Sequence, residues 1–179
     1  VGFLGYKCWY DNKTIRDSIK NDIQDLKKDC TIVVVSFHWG IERNNYPCKL
    51  QTDLGRFAID EGADLVIGHH PHVIQGIETY KGRHIVYSMG NFSYGGHRNP
   101  EDKDTFIFRE QFYAKGREVG VFKTRVIPCR ISSIKEYNNY QPTPLSGGDG
   151  DKVLKRLKEY SSKLEYGYDF CDQFSHDTK

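Results

Sequence analysis

The segment ADLVIGHHPHVIQG, residues 63–76, runs from a short apolar, β-branched stretch into three histidines within four positions, His69, His70 and His72. A brief apolar run bounded by glycine fits a strand covered on both faces. Upstream, TIVVVSF (residues 31–37) has the same character and ends on His38, Trp39 and Gly40. Between the two, Leu50, Leu54, Phe57 and Ala58 recur at a helical period from Cys48 to Glu61. Gly62 then stands where a helix C-terminus favours a left-handed residue. Strand, helix and strand with short links make a right-handed βαβ unit with parallel strands. Both strands then end on one sheet edge, the edge at which open α/β sheets place ligands.

That placement predicts that His38 and the His69 to His72 cluster converge. Pro71 fixes its own φ and disfavours a helical His70. An extended His70 would share a face with His72 and leave His69 opposite. Neutral imidazole is the commonest side-chain metal ligand, and clustered imidazoles without a ligand would repel when protonated. His38, His70 and His72 are therefore candidate ligands for manganese, zinc or iron, with His69 as an orienting neighbour or alternative ligand. Taken singly, a strand-end histidine is more often a hydrogen-bonded core or loop residue, and it is the clustering that favours the metal reading. His84 in a strand and His176 in a polar tail read as structural or solvated. His97, beside Arg98 in SYGGHRNP (residues 93–100), sits where a phosphate or carboxylate could be met, though the segment reads first as a surface loop.

The remaining features narrow the function classes. The chain of 179 residues suits one domain or part of a larger one, and 26 basic against 24 acidic residues give no electrostatic footprint for nucleic acid. No apolar stretch approaches the roughly twenty residues that span a bilayer, so no direct membrane insertion by this chain is expected. The opening VGFLGYKCWY has neither a basic leader nor a cleavage site. Five cysteines, at 8, 30, 48, 129 and 171, form no CxxC pair. Ser36 and Ser88 lack the G-x-S-x-G surround of a hydrolase nucleophile, and Cys48 has no evident orienting partner. The GGDGDKV stretch (residues 147–153) fails the calcium-loop pattern at Val153 and Tyr160; it reads as a link whose Asp151 caps a terminal helix marked by Val153, Leu157, Tyr160 and Leu164. Two hairpins are expected, turning at Lys81-Gly82 and near Lys115-Gly116.

The blocks VVVSFHWGIE (33–42), GADLVIGHHPHVIQGIE (62–78) and YKGRHIVYSMGNF (80–92), in this order and spacing, resemble the CapA-type capsule and poly-gamma-glutamate synthesis proteins of the calcineurin-like metallophosphoesterase superfamily. The resemblance implies an α/β fold with mixed sheets, the C-terminal part of a four-layer αββα sandwich. Residues 1–134 would form the C-terminal half of that domain, and 135–179 a link and a helix packed on it. By position, the superfamily's metal-binding histidines fall on His38, His70 and His72. Either His69 or His70 can take the first place of the Gly-His-x-His element, and alternation favours His70. The superfamily's Asp-x-His, Gly-Asp and Asn-His elements are not matched, and Asn91 follows the histidines instead of preceding them. A missing N-terminal half is therefore the expected partner, with VGFLGY as an inner strand. Three neutral donors without a bridging carboxylate would hold at most one ion, partially occupied. The chain alone would lack phosphodiesterase turnover and expose apolar surface. The function implied is capsule or poly-gamma-glutamate biosynthesis with a metal-dependent phosphoesterase (hydrolase) site; the alternative is a non-catalytic scaffold in a polymer synthesis or export complex. Partners would be membrane proteins of that synthesis, and the location the bacterial cell surface, anchored outside the cytoplasm by a segment beyond this chain. No catalytic or substrate-binding residue is assigned.

Overall fold

A computed structural model describes residues 1–170; His176 and Cys171 lie outside the described residues. Five strands form the first sheet: β1 (Gly2–Cys8), β2 (Val33–Trp39), β3 (Leu65–His69), β4 (Ile77–Tyr80) and β5 (Arg83–Val86). Their order is β1-β2-β3-β5-β4, with every pair parallel except β4 with β5. Helices α1 (Lys13–Asp29) and α2 (Lys49–Asp60) are the crossovers before β2 and β3. The β4–β5 hairpin turns at Lys81 and Gly82, both with positive φ, as a two-residue primed turn requires.

The βαβ expectation holds, and α1 adds a crossover the sequence reading passed over. Asn12 caps α1 by accepting a hydrogen bond from the Ile15 amide at 3.0 Å. Ile15, Ile19, Ile23 and Leu26 carry its apolar stripe into a core shared with Val33, Val35, Phe37, Trp39, Leu54 and Val66. Within that core Trp39 crosses β3 to donate its indole N–H to the Tyr87 carbonyl at 3.0 Å. Gly68 makes the crossing possible, because a Cβ there would meet the Tyr87 oxygen at 1.9 Å and Trp39 Nε1 at 2.5 Å.

The second sheet, β6 (Asp104–Lys115), β7 (Glu118–Arg130) and β8 (Thr143–Pro144), is antiparallel, and β6 and β7 turn at Gly116 as expected. Its inner face, with Phe106 and Val126, shares a second core with Ile77, Val86 and helix α3 (Gly147–Ser161). His84 is structural, as expected: it is buried between the sheets with Nδ1 2.8 Å from Glu110 Oε2. The layers thus run helices, first sheet, second sheet, while α3 flanks the core between the sheets.

One local expectation is corrected. Asp151 does not cap α3, which begins four residues earlier, after Ser146. Asp149 in its first turn is anchored by Arg130, Lys135 and Lys152, and these ion pairs draw the glycine-rich stretch into the helix. Among the described residues β1 pairs with β2 alone, and one of its faces is open, with Phe3 74 % exposed, the apolar exposure expected of this chain by itself. The Gly68 contact generates a prediction: Gly68→Ala should lower unfolding stability by about 3 kcal/mol, read as a reduced midpoint in a urea titration. An unchanged midpoint would mean that Trp39 and Tyr87 separate freely.

Candidate functional site

Parallel pairing sets His38 opposite His69 at the ends of β2 and β3, and this edge carries the site. Beyond His69 the chain does not stay extended. His70 has φ 99° and His72 φ 59°, which corrects the conformation expected before Pro71. Tertiary hydrogen bonds override the local preference: the Pro71 carbonyl accepts from the Arg43 amide at 2.8 Å, and the Val73 carbonyl from Ser88 Oγ at 2.7 Å. Arg43 itself has φ 60°, so three of the five non-glycine residues with positive φ among the described residues meet here. Such conformations persist only where surrounding contacts over-determine them.

Those contacts form a buried amide network. Gln51 accepts from the Cys48 amide and donates to Gln75 Oε1 at 2.8 Å; Gln75 in turn donates to the Asn44 carbonyl at 2.8 Å. Asn45 donates to the Ile74 carbonyl at 3.0 Å. Both glutamines are fully buried. Gly40, at φ 85°, lets the loop pass over Gln51, where a Cβ would lie 2.6 Å from the side-chain amide. The segment after β2 is thereby tied to the histidine loop along its length.

The consequence is a carboxylate the sequence reading did not count. Glu42, His70 and His72 each offer a ligand atom, all within 4.8 Å of one another. A carboxylate thus stands beside the candidate histidines, where the sequence reading counted none. Glu42 stands inside the quoted block VVVSFHWGIE, but a loop residue has no periodicity that would place it. His38 lies outside this tight group, although its ring centroid is 4.7 Å from that of His70. Trp9 stands edge-on to both rings, at 5.6 Å from His38 and 4.6 Å from His70. His69 is a neighbour of His38 in register and is not in the tight group.

Asn91 fixes His72. Its Nδ2 donates to the His72 carbonyl at 3.1 Å, which turns its Oδ1 toward the ring 2.7 Å from Nδ1. An oxygen at that place requires the proton on Nδ1 and leaves the Nε2 lone pair free. Protonation of the other imidazoles is disfavoured. Burial, then Lys7 and His72, lowers the pKa of His38. Burial, then His38, lowers that of His69. For His70, burial and His38 outweigh the opposing effect of Glu42. Beside His72 opens a cleft of 740 Å³ whose walls include Glu42, Arg43, Asn91, Tyr94 and His97.

The fold therefore gathers histidines and a carboxylate at the strand-end edge where open α/β sheets place ligands. The family model described as bacterial capsule synthesis protein PGA_cap matches residues 7–95, which span the whole site apart from its outer loop. The capsule biosynthesis protein CapA of Bacillus anthracis is 34% identical over 144 residues, 78% of this chain and 32% of its own length. The PGA biosynthesis protein CapA of Bacillus subtilis is 51% identical over 70 residues, 39% of this chain and 18% of its own. A probable polyglutamine synthesis accessory protein of Mycobacterium tuberculosis is 31% identical over 98 residues, 48% of this chain and 26% of its own. These matches make the chain a CapA-type member of the PGA_cap family, and it spans a third or less of the length of these relatives.

The amide network is open to direct test. Gln75→Ala should strand the buried Gln51 amide and the Asn44 carbonyl, costing about 2 kcal/mol in chemical denaturation. A cost near zero would show that the loop bearing Glu42 is held by something else.

Proposed function

We propose that the chain serves bacterial capsule or poly-gamma-glutamate biosynthesis and that Glu42, His70 and His72, with His38 alongside, bind a divalent metal ion in a phosphoesterase-type site. The observation that carries the reading is the convergence of Glu42 with two histidines, one of them oriented by Asn91. The donor set fits such an ion. Two imidazoles and a carboxylate suit manganese, zinc or iron, and the carboxylate offsets part of the dication charge. A bound ion would supply Lewis acidity toward a phosphoryl oxygen. The chain's own residues do the rest: Asn91 holds the His72 tautomer, desolvation and neighbouring groups disfavour protonation of His38 and His70, and the Gln51–Gln75 network holds Glu42 in reach.

One tight group argues for one ion from this chain, and a second would need donors from elsewhere in the protein. The open face of β1, with Phe3 and Lys7 exposed, is a surface on which an N-terminal segment would pack. Membrane proteins of polymer synthesis are the further partners proposed, at the cell surface. No helix among the described residues is long and apolar enough to cross a membrane. The same open face favours a second reading, in which the domain is a non-catalytic scaffold of the synthesis complex.

Calorimetric titration with Mn²⁺ separates the two. The first reading expects one ion per chain, with affinity reduced at least about tenfold by His72→Ala or Glu42→Gln, and by roughly 10- to 100-fold by Asn91→Ala. Absence of binding for Mn²⁺, Zn²⁺ and Fe²⁺ alike would leave the scaffold. For the full-length protein, Mn²⁺-dependent hydrolysis of a chromogenic phosphodiester should disappear in His70→Ala, while the 179-residue chain alone should show no meaningful turnover.

A further inference from the structure

The cleft beside His72 is lined by one cationic side chain, Arg43, that the donor set does not use. Arg16, Arg56, Arg83, Arg130 and Arg156 are each pinned by a carboxylate. Arg43 lines the cleft, is exposed, and makes no ion pair among the described residues. Its backbone is nevertheless fixed in the left-handed region by the bond to the Pro71 carbonyl, directly after Glu42. A long cationic side chain on a rigid, strained backbone at a cleft rim is an anchored donor with five unspent N–H groups.

The segment 93–100 supplies a second donor. Buried Asn138 holds this loop over the cleft: its Nδ2 donates to the Tyr94 carbonyl at 2.8 Å, and its amide to the Arg98 carbonyl at 3.0 Å. Within the loop, His97 Nδ1 accepts from the Asn99 amide at 3.0 Å. A neutral His97 ring therefore carries its proton on Nε2, as a donor. The carboxylates near the cleft do not cancel these donors. Asp102 is bound by Arg156 through two hydrogen bonds, and Glu101 lies exposed at the rim. Glu42 belongs to the donor set of the preceding reading.

We propose that Arg43 and His97 form an anion-binding subsite in the cleft beside His72 and hold the phosphoryl group of a phosphoester substrate. Arg43 offers the planar fork that matches two phosphoryl oxygens, and His97 a single N–H from the loop held by Asn138. The choice of a phosphoryl anion rests on the phosphoesterase reading; the anion-binding role of Arg43 rests on the cleft itself. Specificity then comes from the loops after β2 and β5, and the histidine cluster is left to the ion.

The test measures binding of inorganic phosphate to the full-length protein by calorimetry, without metal and with Mn²⁺. Arg43→Gly removes the guanidinium and accommodates the left-handed backbone, so lost binding cannot be ascribed to strain at that position. It should weaken phosphate binding by about 10- to 100-fold while Mn²⁺ affinity stays unchanged, with Arg43→Lys intermediate and His97→Ala weaker by a smaller factor. Equal phosphate affinity in the wild type and Arg43→Gly overturns the subsite. So does absence of phosphate binding by the wild type under both conditions. Displacement of phosphate by an equal concentration of glutarate would mark a carboxylate site and overturn the phosphoryl assignment. Arg43-dependent phosphate binding in a protein that takes up no Mn²⁺ would uphold the subsite and sink only the metal reading.

Discussion

The register of β2 against β3 is the constraint on which the rest depends. It is fixed at both ends. At the start of β2, buried Asp64 accepts from the Val33 amide at 2.9 Å and from Lys27 at 2.7 Å, tying the strand to the end of α1. At the other end the Trp39 indole reaches over Gly68 to the Tyr87 carbonyl. A slip of one residue would reverse every side chain. It would turn Trp39 out of the core and His38 into it, away from His70 at the edge.

The site adds strain to that frame, and the frame bears it. Left-handed backbone at Arg43, His70 and His72 costs of order 1 kcal/mol or more each. Buried amides offset this cost, because each bond among Gln51, Gln75, Asn44 and Asn45 is shielded from water and lost if the loops part. The strained residues and the network lie between the same two loops. Rigidity there comes from polar satisfaction, while the apolar cores hold the sheets.

Legibility in the sequence followed periodicity. The runs at 31–37 and 63–68 and the stripe of α2 announced the βαβ unit, and the cluster after Gly68 announced the edge on which His38 and His70 meet. Helix α1 was missed although Asn12 and the Ile15, Ile19, Ile23, Leu26 spacing were present; its mean polarity hid the stripe. Glu42, Arg43 and Asn91 were not legible as site residues, because loops bring them in through tertiary hydrogen bonds that leave no period. The backbone of His70 was misread for a related reason. A preference before proline is worth less than the bonds Pro71 and Val73 make to neighbouring loops.

Electrostatics explains why these parts occur together. Desolvation, together with the proximity of the rings to one another and to Lys7, disfavours protonation of His38 and His70. Glu42 brings the negative charge that neutral rings lack, and it is exposed, so its desolvation cost is small. Arg43, the next residue, turns the balance positive again toward the cleft. A single two-residue step in one loop thus separates the proposed cation site from the proposed anion subsite, and the bond from the Arg43 amide to Pro71 is what holds that step against the histidines.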